Sequence, residues 1–108
     1  VLDPTGKWLY VTLNGAGQVI KLDTATDQVV ARVRTGQAPR SMAISNDGKA
    51  LYVVNYESNN MTKLRAADLS LLQTVTTGTH PIGISYEPIR HRVWVAVYSG
   101  NILVLNDV

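Results

Sequence analysis

Apolar residues along this chain come in runs of four to seven, rich in Val, Ile, Leu and Tyr, and each run is closed by a cluster of Gly, Asn, Asp, Pro or Thr. No stretch holds the period of an amphipathic helix, so the pattern predicts an all-β chain of short strands and tight turns. Asp3-Pro4-Thr5-Gly6 sets the first turn, because Pro4 fixes φ and Gly6 tolerates a positive one. Strands are then expected at 8–13, 18–22 and 28–34, separated by the breakers Asn14-Gly15-Ala16-Gly17 and 23–27. Thr35-Gly36-Gln37-Ala38-Pro39 interrupts with both Gly and Pro. Further strands are expected at 40–45, 51–56, 61–65, 71–76, 82–86, 93–98 and 102–106.

These strands repeat. Gly48-Lys49-Ala50-Leu51-Tyr52-Val53-Val54-Asn55 has a close copy about 42 residues earlier, from Gly6 to Leu13, and a weaker one about 42 residues later, from Arg90 to Val97. Lys21 and Lys63, Leu22 and Leu64, Val33 and Val75, Gly36 and Gly78, and Pro39 and Pro81 share that offset without a gap. A unit of this length with four short strands predicts a β-propeller blade, a four-stranded antiparallel meander. Leu51, Val53 and Asn55 alternate with Tyr52, Val54 and Tyr56, and both sets are largely apolar, which suits a sheet covered on both faces. A β-sandwich is the structural alternative, but its strands show one polar face and do not recur at one spacing.

The ten expected strands divide into a partial blade over 1–36, a complete blade over 37–78 and a partial blade over 79–108, about two and a half blades in all. Closed propellers hold about four to eight. The chain is therefore expected to be part of a larger closed ring, with several associating copies as the second possibility, since open blade faces in water invite aggregation.

Ten basic and eight acidic residues are scattered along the chain, leaving a formal charge of +2. That distribution offers neither a nucleic-acid stripe nor a polybasic membrane patch. With no cysteine, a disulfide framework and a thiolate metal site are both excluded. No apolar run is long enough for a transmembrane helix, and Val1-Leu2-Asp3-Pro4 does not resemble a signal peptide; a leader removed upstream is compatible with this start.

The motifs resemble those of the YVTN-repeat β-propellers. Tyr10-Val11-Thr12 and Tyr52-Val53-Val54-Asn55 stand where that family carries its Tyr-Val-Thr-Asn signature, and Trp94-Val95-Ala96-Val97 keeps the aromatic and the valine. Pro39-Arg40-Ser41 and Pro81-Ile82-Gly83, the Asp47-Gly48-Lys49 turn and Asp23-Thr24-Ala25-Thr26 complete the likeness. The resemblance implies a bacterial or archaeal protein placed in the periplasm or outside the cell. It leaves function open, because such propellers serve in surface layers, in the periplasm and beside cofactors.

Counting strands places the loops. In a meander of strands A to D, the B-to-C and D-to-A connections share one rim, and loops on a rigid scaffold are where ligand sites arise. The candidate ligand-binding residues on that rim are Arg40, Asn55, Tyr56, Asn59, His80, Tyr98 and Asn101. Arg40 and His80 suit an anion, and His80 suits a metal or cofactor, whereas the plain alternative is a solvated loop histidine. Tyr56 and Tyr98 suit a peptide or sugar groove, or simply edge packing. His91 falls on the opposite rim and cannot join His80. Asp23, Asp27 and Asp47 have turn spacing rather than calcium-loop spacing, and no nucleophile elbow occurs. No catalytic residue, metal site or cofactor is assigned. The expected function is a noncatalytic binding or scaffold segment whose partners are other blades, a protein or a small molecule. The alternative is part of a propeller enzyme or enzyme subunit, lactonase-like or belonging to a periplasmic dehydrogenase.

Overall fold

A computed structural model describes residues 1–106; the last two residues of the third expected unit lie outside the described residues. Ten strands form three antiparallel sheets. The first contains β1 (Trp8–Leu13), β2 (Gln18–Asp23) and β3 (Gln28–Arg34); the second contains β4 (Pro39–Ile44), β5 (Ala50–Asn55), β6 (Asn60–Arg65) and β7 (Leu71–Thr76). The third contains β8 (Pro81–Glu87), β9 (Arg92–Val97) and β10 (Ile102–Asn106). Each sheet is a simple meander, as short turns between alternating strands dictate. We call them blades 1, 2 and 3. An isolated bridge between Leu2 and Leu9 extends blade 1 at the place where β4 pairs with β5 in blade 2.

Several expected strand boundaries shift by one residue, two of them at tyrosines of the candidate rim. Tyr56 and Tyr98 were expected to close strands, but each begins a turn, because Tyr56 N donates to Ala38 O and Tyr98 N donates to His80 O across the loops. Asn14–Ala16, expected as a hairpin breaker, is one turn of 3₁₀ helix closed by Gly17 at φ 68°. No α-helix occurs among the described residues.

The core lies in the two joints between blades. Every residue of β5 is buried, and its alternation sends Leu51 and Val53 to blade 1 and Tyr52 and Val54 to blade 3. In the first joint Tyr10 and Val19 meet Leu51, Val53, Leu64 and Leu69. In the second, Tyr52, Val54 and Met61 meet Val93, Val95 and Val97. The outermost strands β3 and β7 are largely exposed, whereas β4 packs beside β8. The first strands of neighbouring blades thus line the inner side, as in a propeller.

A cluster of polar contacts crosses the first joint at the turn after β6. Lys21, only 5% exposed, donates from Nζ to Ala66 O at 3.1 Å and to Ala67 O at 2.9 Å, in the turn after β6. Tyr10 Oη donates to the same Ala66 carbonyl at 3.1 Å. The ammonium lies 4.4 Å from the Trp8 ring and 5.7 Å from that of Tyr10, where ring quadrupoles offset part of its lost hydration. Desolvation still holds its pKa below the ordinary lysine value. Blade 2 repeats the pair, with Lys63 Nζ 5.6 Å from the Tyr52 ring. In blade 3 the corresponding positions carry Trp94 and Val104.

Candidate functional site

Bulges set the rim. The β4–β5 register passes from Pro39–Asn55 to Ser41–Val54, leaving Arg40 as an extra residue, and the β8–β9 register skips Ile82 in the same way. A bulge re-aims a side chain out of the ladder. Arg40 accordingly leaves the sheet and places its guanidinium carbon 5.0 Å from the Tyr56 ring. His80 stacks on the same ring, with centroids 4.3 Å apart and planes 10° from parallel. Three of the residues expected on this rim are therefore one cluster, drawn from two D-to-A loops and the B-to-C loop between them.

The backbone beneath His80 is held from both sides. His80 adopts φ 57°, a left-handed conformation costly for a residue with a Cβ. Asn59 Oδ1 accepts from His80 N at 2.9 Å, and His80 O accepts from Tyr98 N at 2.9 Å. Asn59 is itself at φ 57°, and its carbonyl accepts from Thr77 N. Asn59 thus latches one loop to the next and touches the site through His80. Among the described residues no hydrogen bond to the His80 ring and no carboxylate partner for Arg40 is present.

The remaining expected residues are placed differently. Asn55 is fully buried. Its Oδ1 accepts from Thr35 Oγ1 at 2.9 Å, and its Nδ2 donates to Asn60 Oδ1 and to Thr62 Oγ1, each at 2.9 Å. The end of β5 reaches the rim, but strand parity turns this side chain into the first joint, where it ties loops together and offers nothing to a ligand. Tyr98 is 70% exposed and contacts the cluster through its backbone only. Asn101 is exposed in the same turn, where its carbonyl accepts from Val97 N. His91, on the other rim, pairs its Nδ1 with Tyr86 Oη at 3.0 Å.

The opposite rim was expected to hold mostly compact turn chemistry. Its acids do serve turns: Asp47 accepts from Ser45 Oγ and Lys49 N, and Asp3 accepts from Thr5 Oγ1 and Trp8 N. These bonds hold both carboxyls below the usual aspartate range. The repeated Tyr–Lys pairs, Tyr10 with Lys21 and Tyr52 with Lys63, were the signal that polar function also crosses the joints.

Three bladed sheets, ordered by inner strands and carrying a cluster on one loop rim, define a segment of a β-propeller. Comparison with known proteins narrows this. The model of the cytochrome D1 heme domain matches residues 1–102, and the chain belongs to that family. Hydrazine synthase subunit beta of Kuenenia stuttgartiensis is 36% identical over 61% of this chain and 23% of its own length. Dihydro-heme d1 dehydrogenase of Pseudomonas aeruginosa is 39% identical over 67% of this chain and 14% of its own length. Among solved structures, Kuenenia stuttgartiensis hydrazine synthase superposes with a TM-score of 0.92 at 26% identity, covering 97% of this chain and 31% of that chain. Dihydro-heme d1 dehydrogenase NirN in complex with DHE gives 0.84 at 31% identity, covering 98% and 24%. The chain thus spans less than a third of the length of these relatives.

Proposed function

We propose that this chain is a binding segment of a larger, haem-associated propeller, with Arg40, Tyr56 and His80 facing the bound group. The observation carrying this reading is the stack of His80 and Arg40 on Tyr56, supported by a strained backbone at His80 that its neighbours hold in place. The donor set suits a planar anionic cofactor: a flat ring, a guanidinium for carboxylates and an imidazole nitrogen for a metal or a hydrogen bond. A haem-type group, when bound, supplies redox chemistry; these residues bind and orient it. We assign no catalytic residue within the segment; the names of its enzyme relatives favour a catalytic role for the whole protein. Its division into units at 36/37 and 78/79, the Tyr-Val-Thr-Asn character of β1 and β5, and a periplasmic or extracellular placement belong to the same proposal.

The test is titration of the chain with haemin, followed by absorbance. A shifted Soret band is expected, weakened by Arg40→Ala and abolished by His80→Ala. No shift, or one that survives His80→Ala unaltered, would refute the proposal, because haemin adhering to open blade faces does not depend on His80.

A further inference from the structure

A sizeable cavity lies on the rim that the His80 cluster does not use. It measures about 780 Å³ and opens at the first joint, within the size range of small-ligand sites. Trp8, Tyr10, Ala50, Ala66 and Leu72 form its apolar wall. Leu72 is there because β7 bulges: the β6–β7 register passes from Lys63–Gln73 to Leu64–Leu71 and leaves Leu72 as the extra residue.

The second joint carries other side chains at corresponding positions. In the second joint Tyr86 stands at the position of Ile44 and stacks on Tyr52 with centroids 5.9 Å apart, while Ala50 replaces Trp8. A separate cavity of about 90 Å³ lies between Tyr52, Met61, Val93 and Leu105.

The charges around the larger cavity favour an anion. Lys21, Lys49, Lys63 and Arg65 line it, against Asp3 and Asp47, and Lys63 Nζ lies 5.6 Å from the Tyr52 ring. Both carboxylates are bonded within their own turns, as described above. Lys21 is spent on two carbonyls, and Arg65 lies 3.9 Å from Asp68. Lys49 is exposed on the cavity's edge, close enough to Asp47 for its charge to stabilise that carboxylate, and no hydrogen bond or ion pair to its ammonium is present among the described residues.

We propose that this cleft binds a small apolar carboxylic acid, with its hydrocarbon or aromatic body against Trp8 and Leu72 and its carboxylate on Lys49. Trp8 is itself the reporter. The chain has two tryptophans, and Trp94→Phe leaves Trp8 alone. The probe is 4-nitrobenzoate, a quencher of indole fluorescence, compared with uncharged 4-nitrobenzamide. Saturable quenching is expected with the acid, about tenfold weaker with the amide and with Lys49→Gln. Leu72→Glu should repel the acid while sparing the amide, and circular dichroism confirms that each variant folds. Linear, collisional quenching by the acid, equal affinity for acid and amide, or indifference to Lys49→Gln would each overturn the proposal.

Discussion

Removing Lys21 and Tyr10 singly and together tests whether the Ala66 carbonyl is shared in the way the distances indicate. Lys21→Met keeps the apolar stem packed and deletes the ammonium. Ala67 is exposed, so water replaces Nζ at its carbonyl; buried Ala66 keeps Tyr10 Oη at 3.1 Å. A hydrogen bond from a charged donor contributes about 1.5–3 kcal/mol, but deleting this ammonium also removes its desolvation penalty. The expected loss is therefore about 1–2 kcal/mol. Tyr10→Phe leaves Nζ on the same carbonyl and should cost about 0.5–1.5 kcal/mol. The double variant orphans a buried acceptor, a penalty of about 1–3 kcal/mol that neither single variant incurs. Urea unfolding of the four proteins at neutral pH should thus give a double loss exceeding the sum of the single losses by about 1 kcal/mol. Additivity within about 0.3 kcal/mol would refute the shared-acceptor reasoning, leaving two independent contacts.

Gly36→Ala should destabilise the chain by about 1–3 kcal/mol, because an added Cβ would lie 2.9 Å from Asn55 Cγ inside its filled hydrogen-bond network; a thermal melt checks this, and the loss should shrink in Gly36→Ala/Asn55→Ala. Acid stability should depend on Asp47. Its folded pKa lies below the ordinary value of 3.8, so its contribution is present above that value and is lost as pH falls through the folded pKa. Asp47→Asn should flatten part of the slope of unfolding free energy against pH below about 4, with Asp3 and Asp68 retaining the rest. Asn59→Ala removes the acceptor for His80 N and should increase hydrogen exchange at His80 and Thr79, while exchange in β5 is unchanged.

Spacing along the chain carried the strand order, because a period-two apolar alternation on both faces has few solutions other than a sheet between sheets. It also carried the rim, since turn positions follow from counting strands. It did not carry the direction of individual side chains at strand ends. Asn55 and Tyr56 are neighbours, yet parity buries one and a turn leaves the other half-buried on the rim. Nor did it carry the bulges: one extra residue at Arg40 and at Leu72 decides what each rim presents, and no local pattern marks either position. The cleft beside Trp8 joins side chains of two blades, Trp8 and Tyr10 with Ala50, Ala66 and Leu72, which no local pattern along the chain brings together.

The Tyr10–Lys21 contact has a consequence for symmetry. At the Ala66–Ala67 turn blade 1 supplies the donors and blade 2 the acceptors, so the two surfaces that meet there are unlike. Such joints are heterologous and multiply by rotation, never by two-fold exchange. Blade order therefore has a chemical arrow, running from the strand that carries lysine to the turn that receives it. With Trp94 and Val104 at the donor positions of blade 3, that arrow ends there.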